Sequence, residues 1–269
     1  AMAAGNGTAE ARDAALGAAE DGARENGAPL RSAGERWWRR YWRRAPVLNI
    51  PHPFLAPFWR YALYRFGCAT SPGGGVPAGL QGPWVEDDQI PRWGGDYHFN
   101  VNLQQIYTLA FAAGQESHCL PLFDMIDSWM PLLRHTARIL LDVEDGLWMG
   151  MLTTDRGRLL YHAPGCILDP MVSVWSAHLY WLYWVHTGDR DFLARRAFPF
   201  MAGVMRSIEA MLEDDGGRLA LAPVPPSSPP ASTFASSTFG STAKTIRAST
   251  AVASASSSWP MPAVMPRPR

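Results

Sequence analysis

Three polar side chains that could handle a hydroxyl group, His98, Asn100 and Asn102, recur at every second position of the run Trp93-Gly-Gly-Asp-Tyr-His-Phe-Asn-Val-Asn102. They alternate with Tyr97, Phe99 and Val101. Alternate residues of an extended chain face the same side, so this spacing predicts a polar row at roughly 6.6 Å per pair, anchored from behind by an apolar row. A buried Asn demands partners for both its donor and its acceptor, and two amides beside an imidazole suit sugar hydroxyls. The plainer reading is a half-buried edge strand whose polar face meets water. Context weighs against it: a loop rich in Gly, Pro and Trp (Pro72 to Gly95) precedes the run and a helical pattern follows.

The elements that must hold this row are helical. Apolar and aromatic spacing predicts helices over residues 54–69, 103–113, 119–141, 172–187 and 189–212, with no strand run of comparable length. Pro72-Gly-Gly-Gly75 ends the first of these, because those residues do not continue a helix. Gly188 can close one helix and Asp189 cap the next, which predicts an antiparallel hairpin. Pro199 should kink or divide the second helix of that pair. Repeated hairpins with long loops gathered at one end suit an alpha/alpha toroid. A weaker Ala- and Glu-rich helix pattern covers residues 8–28.

Composition bounds the rest. A chain of 269 residues with 47% hydrophobic content can bury a sizeable core. Net charge is zero, which argues against a nucleic-acid or anionic-membrane partner, since both depend on excess Lys and Arg. The exception is Trp37-Trp-Arg-Arg-Tyr-Trp-Arg-Arg44, where Trp38, Tyr41 and Trp42 share one helical face; an amphipathic helix docked on the core accounts for it. Cys68, Cys119 and Cys166 are odd in number and lack metal-ligand spacing, so buried free thiols are expected, with no zinc site and no cofactor. Glu86, Asp87 and Asp88 read as a solvated acidic loop. Met171 to Gly188 is the longest uncharged run, and its His, Ser and ring polar groups make it a core helix, short of a membrane span. No signal peptide is visible at the start, and the compartment stays open.

Leu80-Gln-Gly-Pro-Trp84, the run from Trp93 through Gln104, and Thr187-Gly-Asp-x-x-Phe-Leu193 followed by Phe198-Pro199 together resemble the catalytic domain of glycoside hydrolase family ninety-five. That family contains inverting alpha-L-fucosidases and related alpha-L-galactosidases. The resemblance covers roughly Trp37 to Leu221, and it makes the toroid a six-hairpin one. The fold class it implies is all-α, a partial (α/α)6 barrel with a disordered C-terminal tail. Its divisions are a helical linker region at 1–46, a partial catalytic domain at 47–221 and a low-complexity tail at 222–269.

By the same resemblance Asn100 and Asn102 match a pair of asparagines that hold the attacking water, His98 hydrogen-bonds a sugar hydroxyl, and Trp175 faces the sugar ring. Core roles are the alternatives for His98 and for Trp175, the latter lying on an apolar face with Leu179 and Leu182. Inverting glycosidases need an acid and a base, normally two carboxyls roughly 6.5 to 9.5 Å apart. An amide is a poor base alone, so its strength depends on a distant aspartate that this chain does not contain. The family carries its general acid in a Ser-Pro-Glu segment, whereas here Ser228-Pro229 is followed by Pro230. It also often reads Trp-Glu-His-Tyr where this chain has Trp181-Leu-Tyr-Trp184.

After Leu221 the sequence turns to Ser, Thr, Ala and Pro with no acidic residue, a composition that cannot offset the entropy of ordering. A truncated or frameshifted reading of a longer gene would explain both the missing acid and this tail. The expectation is therefore a fragment of an exo-glycosidase, inactive as given, whose partner is a carbohydrate substrate and whose exposed apolar surface leaves self-association open. A noncatalytic sugar-binding module and a purely structural helical remnant are the alternatives.

Overall fold

The computed structural model describes residues 8–85, 88–160 and 164–221. They are mostly helical: α1 (Thr8–Ala23), α2 (Ala28–Arg44), α3 (Leu55–Ala69), α4 (Asn102–Ala112), α5 (Leu120–Ser128), α6 (Met130–Leu141), α7 (Pro164–Ile167), α8 (Pro170–Thr187), α9 (Arg190–Phe192) and α10 (Phe198–Glu209). Two small antiparallel ladders accompany them, β1 (Tyr97–His98) with β2 (Leu152–Thr153), and β3 (Leu212–Asp215) with β4 (Arg218–Leu221). Among the described residues no helix is long and apolar enough to cross a membrane. The expected tail lies outside the described residues.

α8 is the central helix. Asp169 caps it by accepting from the Met171 amide at 2.9 Å, Pro170 supplies a first-turn residue with no amide to leave unpaired, and left-handed Gly188 closes it. Asp189 then accepts from the amides of Asp191 and Phe192 and starts the next helical segment, as the Gly188-Asp189 pair predicts. The return segment packs on α8 through rings: Tyr180 stacks on Phe200 at 4.6 Å, and Tyr183 meets Phe192 at 4.3 Å. Behind them Tyr180 lies 4.2 Å from Phe123 and donates its hydroxyl to Asp127 Oδ1 at 2.7 Å. Arg196 bridges Asp127 and Asp124, so each charge in this corner has a partner.

Two helix expectations need correction, at residues 119–141 and at the end of 189–212. Residues 119–141 form two helices, with Trp129 at the break, because Pro131 has no amide to donate back to Asp127 and its ring crowds the preceding turn. As expected, Pro199 divides the 189–212 segment, through a five-residue π-turn, Leu193–Ala197, that absorbs the missing hydrogen bond before α10 begins. The helix ends at Glu209, and the chain turns into the exposed hairpin β3–β4 across Gly216 and Gly217, both at positive φ. Gly203 on α10 is required by proximity: a Cβ there would stand 2.5 Å from Leu147 Cγ, and its carbonyl accepts from the Leu147 amide at 2.9 Å.

The basic and aromatic helix α2 docks more sparingly than its pattern implies. Tyr41 alone of its aromatics is buried, giving its hydroxyl to the Leu63 carbonyl at 2.7 Å, while Trp42 is exposed. Trp38 bridges outward, stacked on Tyr64 of α3. The thiol expectation holds only at Cys119; Cys68 is exposed and Cys166 is intermediate. α3 leaves Phe58, Tyr61 and Tyr64 open to solvent, and α8 does the same with Met171, Trp181 and Val185.

Candidate functional site

The polar row does not run as a straight strand. Its ladder is limited to Tyr97 and His98, paired with Thr153 and Leu152, and the Phe99 amide donates to the Met151 carbonyl at 2.7 Å. Beyond that β2 offers no further partner. Phe99, Asn100 and Val101 turn, and Asn102 is the first residue of α4. Helix begins there because Leu103, Gln104 and Tyr107 must share one buried face. The Gln104 side chain locks the corner by donating to the Phe99 carbonyl at 2.7 Å. Tyr97 and Phe99 are buried as the alternation predicts, but Val101 is 38% exposed, so the apolar row ends one residue early.

The three residues therefore gather at one strand–turn–helix junction. His98 is buried, while Asn100 and Asn102 are exposed on either side of Val101. His98 is anchored by Asp96, two residues before it in the same alternation. Both carboxylate oxygens of Asp96 lie near His98 Nδ1, at 3.3 and 3.2 Å, and the Asp96 side chain is wholly buried. Burial pushes the Asp96 carboxyl above its ordinary value, and the charge and hydrogen bond of His98 work against that rise. The signal was available, since the same period of two that joins His98 to Asn100 and Asn102 reaches back to Asp96.

The surrounding loop is tied down at several points. Tyr107 accepts from the Ala78 amide at 2.8 Å, Tyr97 donates to the Pro77 carbonyl at 3.2 Å, and the Leu80 amide donates to the Asp96 carbonyl at 3.1 Å. Burial raises both tyrosine hydroxyls well beyond neutral pH, so they serve as neutral tethers. Trp93, half exposed and at a φ of 60°, places its ring 5.4 Å from that of His98. A bulky residue at positive φ is uncommon and stores strain. Three buried oxygens lack a hydrogen-bond partner among the described residues: Gln81 Oε1, Gln104 Oε1 and Thr153 Oγ1. Gln104 holds the Phe99 corner and Thr153 pairs with Tyr97, so two of the three line the frame of the junction.

Trp175 is half-buried on α8, where Leu179 is buried and Leu182 intermediate. Among the described residues no hydrogen bond or ring contact links it to His98, Asn100 or Asn102. Glu86 and Asp87 lie outside the described residues, Asp88 is exposed, and no group of His, Cys, Asp or Glu among the described residues could hold a metal ion.

The model of the glycosyl hydrolase family 95 catalytic domain matches residues 51–256, most of the chain and all of the junction. The chain belongs to that family. Two relatives share the stretch. It is 29% identical over 151 residues to "Probable alpha-fucosidase A" of Aspergillus niger, covering 53% of this chain and 18% of that protein. It is 28% identical over 152 residues to "Alpha-L-fucosidase 2" of Arabidopsis thaliana, covering 54% of this chain and 17% of that protein. The chain thus spans less than a fifth of the curated relatives it matches. Its helical content agrees with the all-α class of the family 95 resemblance.

Proposed function

We propose that the strand–turn–helix junction is one wall of the sugar site of an inverting exo-glycosidase acting on alpha-L-fucosides or related galactose-like sugars. The observation that carries the reading is a buried, carboxylate-anchored His98 placed beside two solvent-open amides, Asn100 and Asn102, inside a family 95 match. In this reading Asn100 and Asn102 orient the attacking water, His98 bonds a ring hydroxyl, and Trp175 gives apolar contact to sugar C–H groups. The helices of residues 47–221 then form part of an (α/α)6 barrel whose open end carries the junction. Pro230 stands where the resembled Ser-Pro-Glu segment carries its acid, so this stretch supplies no general acid; loss of acid catalysis alone removes a factor of roughly 10² to 10⁴.

The test is a titration of the 269-residue chain with L-fucose, followed by the same titration of Asn100→Ala and Asn102→Ala. Saturable binding that either substitution weakens supports the reading. Binding indifferent to both substitutions would remove the asparagines from the site. Hydrolysis of an aryl alpha-L-fucoside at an enzymatic rate would show that an acid other than the Ser-Pro-Glu one is at work.

A further inference from the structure

Asp96 has a place that the family reading does not assign. Its carboxylate is completely buried, and among the described residues its side chain has one partner, the Nδ1 of His98. The backbone on both sides is pinned: the Asp96 amide donates to the Trp93 carbonyl at 3.4 Å, its carbonyl accepts from Leu80, and His98 is paired to Leu152 in the ladder. These bonds fix the backbone from which both side chains project. An ionised carboxylate only accepts hydrogen bonds, so Nδ1 must carry the hydrogen that joins them.

We propose that Asp96 is the positioning residue of this site, fixing the proton of His98 on Nδ1 so that Nε2 meets the sugar as a bare acceptor. This rests on the sugar-site reading above. It deepens that reading by giving the polarity of one contact: a sugar hydroxyl donates to His98, and does not accept from it. The buried charge also polarises the imidazole and strengthens Nε2 as an acceptor. The ring of Trp93 packs edge-on against the imidazole at an angle of 61°. Exposed Asn100, two residues on, can then supply the complementary donor through its amide. The junction thereby offers one fixed acceptor and two adaptable amides, a pattern that distinguishes among hydroxyl orientations.

The ring protonation can be read directly. Histidine is labelled with ¹⁵N in the full 269-residue chain at pH 8, and the His98 signal is identified by its loss in His98→Gln. The expected spectrum shows Nδ1 protonated and Nε2 bare. In Asp96→Ala the population moves toward the Nε2–H form that free imidazole prefers, and Asp96→Glu restores part of the original state. A wild-type ring already in the Nε2–H form, or one unchanged in a folded Asp96→Ala, overturns the proposal. If Asp96→Ala does not fold, the wild-type spectrum decides alone. L-fucose supplies an independent readout: Asp96→Ala should weaken its binding by about tenfold, the loss of one oriented hydrogen bond. Wild-type chain that shows the expected tautomer yet binds no L-fucose would sink the sugar reading and leave the role of Asp96 standing.

Discussion

His98 and His118 are both almost sealed from water, at 8% and 3% exposure, and each has its Nδ1 engaged, yet their surroundings differ in kind. His118 faces the Thr70 hydroxyl at 2.8 Å inside a cage formed by the rings of Trp37, Tyr41 and Phe66. The Thr70 hydroxyl spends its own hydrogen on the Phe66 carbonyl at 2.7 Å, so it can only accept from the imidazole. Burial pushes His118 down to about 4, and the charge of Arg44 adds to the effect. His98 instead has a carboxylate beneath it and exposed asparagines beyond it. Burial does not separate the two histidines. What separates them is the partner: a neutral hydroxyl in an aromatic cage makes a structural tie between α2, α3 and the Glu116–Cys119 turn, whereas a buried charge beside open amides makes a candidate site.

The contrast predicts opposite responses to acid. His118 in the unfolded chain takes a proton near 6.5, but the folded ring resists until about 4, so the unfolded state binds more protons between those values. Stability should fall by roughly 3 kcal/mol as the pH drops through that window, with no further loss from this group below it. Urea midpoints across the window, compared between the chain and His118→Gln, isolate the effect. Parallel profiles would show that the cage does not exclude the charge.

A smaller effect is expected from the cage's one polar contact. Thr70→Val keeps the shape but leaves the Nδ1–H of His118 without an acceptor, which should cost about 1–3 kcal/mol at pH 8. Thr70→Ser should recover most of it. Equal stability of Val and Ser variants in urea denaturation would mean that packing alone holds His118.

Asp96 should show the smallest effect and the reverse sign. Its folded value is raised above the unfolded 3.8, so the folded state takes the proton first, and this group adds stability as the pH falls toward the unfolded value. Asp96→Asn should therefore lose a modest acid-side gain that the parent chain shows. An Asp96→Asn variant that loses less stability in acid than the parent would mean instead that the ion pair with His98 outweighs the cost of burial.

Much of this fold was legible in local chemistry. The Gly188-Asp189 pair announced one helix end and the next helix start, because a left-handed glycine and a side-chain cap each act within one turn. The break at Trp129 was carried by Pro131 and overlooked beneath a continuous apolar period. In the site, alternation identified His98, Asn100 and Asn102 as a group but overstated the strand, since strand length depends on how far a partner runs alongside, and β2 supplies two residues. Asp96 was legible by the same period and was missed because a lone carboxylate after two glycines reads as a loop residue.

The sequence by itself determined the helical class, the caps and breaks, and the family, because these depend on residue types at short spacing along one chain. It could not decide which of seven histidines would meet a carboxylate and which a hydroxyl. The Asp96–His98 contact spans two residues, but its meaning comes from burial by distant segments; Thr70 and His118 are 48 positions apart. Desolvation is set by everything packed around a group, and only the tertiary structure brings those neighbours together.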